Sequence, residues 1–476
     1  MVGVFAMRRA MGRGPLLCAG LAGALAAGPA AHAGSISILQ QFQGGSEQYE
    51  ATNFGGYSYP PDMAGAVGNG YVMQLVNGEV STYTTSGAAV GAPLSLDQFW
   101  NSAGYTTGGT FDPRLTYDPV SNRWFAISDA NGSGVVLAVS RTGNPTAGFT
   151  ALTIPGAAGQ FTDFPTLGVS GNSVTIGVND FNVSGAYSGA SLYTLPKGSL
   201  TGATPSLAGL TSFTLSNQLE LAPQGVSDPA GSGTTTKVLS LAVNGVAIST
   251  VSGTGSGASL LYDTTLTGIS VNNPIPPATP SGYLTFNIDS RISSTVTQVG
   301  NDIYFANNVL VGTQDEIQWG IVNATTDALL KSGFIGMAGL DLSYGSIAAN
   351  ANGTFVIGFN GSASGSNISD YAAVCSDVTG TCAAPQLVYA GTAGDYSEGR
   401  WGDYSVTSVD PTNPNDFWLF QEFPYDAAGS PWWGTMVTEI GTAPASPVPE
   451  PGSLLLLAAG GVGLGALRRQ RRGAPA

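Results

Sequence analysis

The chain has 476 residues, with 15 lysines and arginines against 30 aspartates and glutamates, and a formal net charge of −15. That balance excludes nucleic acid as a partner, because binding it needs a basic face. The single histidine, His32, lies in a leader segment, so the rest of the chain has no His general base, Ser-His-Asp triad or His-bound zinc.

In chain order, the leader comes first. Met1 to Gly14 carries Arg8, Arg9 and Arg13 and no acid, Leu16 to Ala27 is apolar, and Ala31-His32-Ala33 is a small-x-small cleavage pattern. These features predict a signal peptide over 1–33, cut by signal peptidase after Ala33. Cys18 leaves with it; Pro15-Leu16-Leu17 lacks the small residue that precedes a lipoprotein cysteine. Between residues 34 and 446 remain eight basic and 29 acidic side chains, a net charge of −21. Such a charge favours solubility and attracts cations.

The body, 34–440, reads as all-β. Helical periodicity is absent from it. Six Asn-Gly pairs punctuate it, at 69, 77, 131, 244, 352 and 360; Asn-Gly supplies the positive φ angles of tight hairpins. Strand-turn-strand patterns such as AGAVGNGYVMQLVNG, LTYDPVSNRWFAIS, TLGVSGNSVTIGVND and KVLSLAVNGVAISTV recur seven times. The copies begin near Asp62, Asp112, Asp163, Gln224, Arg291, Tyr344 and Asp403, about 50 to 67 residues apart. Repeats of this size predict a β-propeller of seven blades, with six or eight as the alternatives. The fourth copy is the faintest. GSISILQQF, at 34–42, alternates like a strand and is expected to close the ring against the last blade. The Gly/Ser/Thr-rich stretches Ser252 to Ser259 and Gly361 to Ser369 read as loops or poorly registered edge strands. Cys375 and Cys382 flank a Thr-Gly turn, and in an oxidising compartment they are expected to form a local disulfide.

The segments YPPDMAGAVGNGYVMQLVNG, FDPRLTYDPVSNRWFAIS, FTDFPTLGVSGNSVTIGVNDF and GRWGDYSVTSVDPTNPNDFW look like those of secreted bacterial β-propeller proteins. The resemblance runs from about Tyr59 to Phe423. It implies the fold and transfers no activity.

Asp62, Asp112, Asp163 and Asp403 each stand a few residues before an apolar strand, which in a propeller lies near the channel mouth. One reading is a carboxylate ring for Ca²⁺. The reading that weighs more is a repeated turn device, in which Asp accepts hydrogen bonds from backbone N–H groups. No cofactor is required; Ca²⁺ is the one candidate. Asp163, Asp403 and Glu422 are also candidates for an acid/base pair on a glycosidic bond, which needs carboxyls about 5 to 9.5 Å apart. Arg114 and Arg400 suit an anionic sugar, but an inter-blade salt bridge to a neighbouring Asp is the preferred reading. Trp124 is expected in a blade core. Trp432 and Trp433 are adjacent, so a strand would send them to opposite faces, leaving one for ligand contact.

A linker, 441–447, leads to Val448-Pro449-Glu450-Pro451, then to sixteen uncharged residues from Gly452 to Leu467, then to Arg468, Arg469, Arg471 and Arg472. A spanning helix needs about 20 apolar residues, with roughly 17 as a lower limit, and the arginines fix its orientation. This tail, 448–472, resembles the PEP-CTERM sorting signal. The resemblance implies transient membrane insertion through a short transmembrane helix, recognition by an exosortase, and delivery to the cell envelope, outer surface or extracellular matrix. The resulting expectation is an exported, non-catalytic propeller that binds polysaccharide or surface proteins. Two alternatives stand beside it: an extracellular polysaccharide hydrolase or lyase, and a Ca-dependent adhesion module.

Overall fold

A computed structural model describes residues 34–215, 221–280, 282, 285–286, 288–394, 399–427 and 429–442. The leader, most of the linker and the sorting tail lie outside the described residues.

Seven antiparallel sheets surround one axis. Their innermost strands are Ala64–Gly68, Thr110–Asp118, Gln160–Val169, Leu221–Gly225, Thr297–Val299, Asp341–Ala349 and Val406–Val409, which number blades 1 to 7. Each blade then zigzags outward. The last ring position is shared by both ends of the described chain. Strand Ile36–Ser46 pairs antiparallel with Ser430–Thr442, Ile36 opposite Thr442, so the first strand completes blade 7 as expected.

Burial explains why the pattern was legible in some strands and muted in others. A middle strand such as Gly134–Ser140 is buried at every residue because blades cover both of its faces. An outer strand such as Leu329–Ile335 has one solvated face and alternates. Seven apolar clusters, one per blade junction, form the core among the described residues. An eighth, of Phe164, Ala222 and Tyr404, joins residues of three different blades. Trp124 sits fully buried in the junction of blades 1 and 2.

Several expectations change. Five of the six Asn-Gly pairs lie in hairpin turns, whereas Asn360-Gly361 lies inside strand Thr354–Ala363. The stretch from Gly361 to Ser369 is not a loop but a hairpin whose register slips, as in the alternative reading, with Gly361 opposite Ser369 and Ala363 opposite Ser366. KVLSLAVNGVAISTV is the second hairpin of blade 4, Thr235–Ala242 with Gly245–Ser252, rather than its innermost one. The innermost strand there is only Leu221–Gly225, which explains the faint copy. A helix also exists where no periodicity was read. Leu96–Ala103 carries a capping box from Ser95 and Gln98 and buries Leu96, Phe99, Trp100 and Ala103 in the first junction. Cys375 and Cys382 form a disulfide directly across two strands of blade 6.

Candidate functional site

Five of the seven innermost strands carry a kink near their start. Asp62, Asp112, Phe164, Ala222 and Tyr344 have φ between 45° and 53°, left-handed values that cost a non-glycine residue about 1 kcal/mol or more. Beside four of these residues the strand register slips, as a bulge requires. The kink turns a backbone amide away from the ladder, and a side chain from another blade takes it. Asn77 Oδ1 accepts from Asp112 N (2.7 Å), Asn179 Oδ1 from Ala222 N (2.8 Å) and Asn308 Oδ1 from Gly345 N (3.4 Å). Asp112 Oδ2 accepts from Phe164 N (3.2 Å), and Asp62 Oδ1 from Asp403 N (2.7 Å). Asp62 Oδ2 takes Asn77 Nδ2 at 2.7 Å.

The four aspartates do converge. Burial pushes Asp62 up, with Asp403 and Asp112 adding to it, and pushes Asp112 up to about 7, with Asp163 adding to it. Asp163 is also raised, by burial and then by Asp403. Glu422 lies nearby, buried and raised by its burial, with Oε2 accepting from Gly402 N at 3.2 Å. Among the described residues, no three Asp, Glu, His or Cys side chains are grouped closely enough to hold a metal ion.

Arg114 departs from the salt-bridge expectation. Arg114 forms no ion pair among the described residues. It crosses the axis instead: Nε donates to Pro165 O of blade 3 (2.9 Å) and Nη1 to Ser293 O beside blade 5 (2.8 Å). Its guanidinium lies 3.3 Å from the Tyr404 ring centre and 4.8 Å from that of Phe164, and Arg291 covers Phe164 at 4.6 Å. Tyr404 donates to Pro113 O at 2.9 Å. This stack of Tyr404, Arg114, Phe164 and Arg291 plugs the axis. Arg400 does pair with Asp403, Nη2 to Oδ2 at 2.7 Å, but three residues away within its own blade. Burial opposes the Arg400 charge, yet Asp403 and Asp62 hold its pKa above the ordinary value. Lysines make two inter-blade ion pairs: Lys197 to Asp118 at 2.8 Å and Lys237 to Asp327 at 2.6 Å.

Trp433 is fully buried, donating from Nε1 to Ser58 O at 2.8 Å, while half-buried Trp432 meets the Tyr57 ring edge-on at 6.0 Å. Both lie in blade 7, in the strand that carries the ring closure.

Sequence reasoning missed Asn77, Asn179 and Asn308, and it missed Arg291, Tyr404 and Phe164 as parts of the plug. The asparagines had a signal: Asn recurs at the close of the first hairpin in LVNG, GVND and FANN. The axial stack had none, because its members lie up to 290 residues apart.

The PEP-CTERM protein-sorting motif model matches residues 447–472. The chain carries a PEP-CTERM sorting motif. A PEP-CTERM tail implies processing by an exosortase, export and cell-surface sorting. No curated protein matches the chain. Among solved structures, a Dyadobacter fermentans protein of unknown function aligns with 8% identity and a TM-score of 0.43, over 86% of this chain and 99% of that one. NanB sialidase from Streptococcus pneumoniae aligns with 8% identity and a TM-score of 0.42, over 78% and 82%. The Fusarium graminearum α-L-arabinofuranosidase Arb93A aligns with 9% identity and a TM-score of 0.38, over 68% and 91%. Likenesses this distant carry no functional argument for the PEP-CTERM propeller.

Proposed function

We propose that this is an exported, surface-sorted, non-catalytic β-propeller with a binding or structural role in the extracellular polysaccharide matrix. The observation that carries the reading is the use made of the mouth carboxyls. Asp62 and Asp112 accept backbone amides from other blades, and Asp403 holds Arg400. Acids engaged in this way brace the ring rather than attack a substrate. The sorting tail supports the location.

The test is incubation of the purified protein with acidic and neutral polysaccharides. Binding on a glycan array without new reducing ends or unsaturated products is the expected outcome. New chain ends, lost on substitution of Asp163, Asp403 or Glu422, would replace this reading with a hydrolase or lyase. Calorimetry with Ca²⁺ separates the adhesion module: a binding heat together with a lower Tm in EDTA would favour it. The expected result is neither.

A further inference from the structure

A polar cleft of about 350 Å³ opens on the mouth face between blades 1 and 2. That is the small end of the roughly 300 to 1,000 Å³ usual for small-molecule sites. The connection from helix Glu47–Asn53 to blade 1 lends it Tyr57 and Ser58. The start of helix Leu96–Ala103 lends it Ser95 and Asp97, and the start of blade 2 lends it Thr110.

The cleft keeps hydrogen-bonding capacity in hand. Half-buried Asp97 accepts from Gly109 N (3.2 Å), Thr110 N (3.3 Å) and Thr110 Oγ1 (3.0 Å), whereas a carboxylate has about four lone-pair sites. Ser95 Oγ accepts from Gln98 N at 3.1 Å and keeps its proton to donate. Among the described residues no lysine or arginine lines the cleft.

Tyr57 joins the cleft to an aromatic shelf. Tyr57 and Tyr59 are 41% and 48% exposed, and their ring centres lie 6.3 Å apart. The half-buried Trp432 ring lies 6.0 Å from Tyr57. Single exposed apolar side chains mean little, but a contiguous group marks a contact surface. A protein or lipid anchor would call for an apolar pocket beside that shelf, and this cleft holds a carboxylate and hydroxyls instead. A sugar ring matches both parts. Its C–H faces carry a slight positive charge and stack on the negative face of tyrosine. The hydroxyls around its edge donate to a carboxylate and accept from a hydroxyl. Charge narrows the class further: Asp97 in the cleft and the net charge of −21 between residues 34 and 446 repel a uronate.

We propose that this cleft and shelf bind a non-acidic saccharide, with one ring stacked on Tyr57 and its hydroxyls held by Asp97 and Ser95. The proposal rests on the matrix-binding reading and gives it a place and a class of glycan.

The test takes the full-length protein to an array of neutral oligosaccharides (glucan, mannan, galactan) and uronate ones (alginate, polygalacturonate), then to titration calorimetry on the tightest. A neutral oligosaccharide is expected to bind at least tenfold more tightly than any uronate. Tyr57→Ala should weaken it at least tenfold with Tm held. Gly56→Trp should abolish binding: Gly56 lines the cleft, and a Cβ there meets nothing within 4 Å, so the indole has room to fill it. Phe334→Ala, an exposed ring on the outer strand of blade 5, should bind as wild type does. If one cleft variant fails to fold, the other decides. A preference for uronates, or undiminished binding by a folded cleft variant, would overturn this site and leave the matrix-binding reading standing. No binding to any glycan would overturn both.

Discussion

Asn77 shows how much one side chain settles. It sits in a hairpin turn of blade 1, yet its Oδ1 holds the kinked amide of Asp112 at the start of blade 2. Asn77→Ala strands that amide and should cost about 1 to 3 kcal/mol in urea denaturation. Asn179→Ala should behave alike through Ala222. Turn-forming Asn was legible in the sequence; the reach into the next blade was not, because it depends on how blades abut. Arg114 was misread for a related reason. An arginine two residues after an aspartate suggests a salt bridge, but the kink carries it onto carbonyls 51 and 179 residues away. Arg114→Ala should cost about 3 kcal/mol or more, as two buried carbonyls lose their donors. The buried acids also set a pH response. Asp112 is raised to about 7, Asp129 to about 8 and Glu50 to about 9, each chiefly by burial. The folded state keeps these protons where the unfolded chain has lost them, so their stabilisation is full below about pH 4 and lost as pH rises through 7, 8 and 9. Tm should therefore fall from pH 5 to pH 9. Glu50→Gln should flatten the upper part of that fall, and a Tm rising over the interval would contradict the account.

At the scale of elements, what could be read was the hairpin and what could not was its neighbourhood. The helix Leu96–Ala103 spans only two turns, too short for periodicity to stand out. Its apolar face becomes obvious once Trp100 is seen entering the first junction, its Nε1 donating to Ser128 at 3.1 Å. Long spacing between the fourth and fifth copies had a structural cause as well. The connection between them lays Thr285–Phe286 parallel to Arg400–Trp401, which belongs to the approach to blade 7. The disulfide was legible from spacing and compartment, and it ties the outer part of blade 6. The loop it closes spans seven positions, so its removal by Cys375→Ser with Cys382→Ser should cost about 2 kcal/mol. That loss would be seen as a lower Tm that wild type matches on reduction.

The whole molecule is held by a circle of junctions rather than by one central core. Seven copies, their order and the closing strand were all readable, because each hairpin repeats a local signal. Closure is the step on which the others depend. Deleting residues 34–46 should leave strand Ser430–Thr442 with an unpaired edge and promote aggregation. Size-exclusion chromatography would show this, and a soluble truncated monomer would refute it. The same closing strand has a mechanical meaning. Ser430–Thr442 is clamped between Asp416–Ala427 on one side and Ile36–Ser46 on the other, antiparallel to both. Tension arriving through the residues after Thr442 pulls along that strand, so its rungs on both flanks must yield together in shear instead of peeling one at a time. A protein handled by its tail would then resist flow and drag at the point where the load first enters.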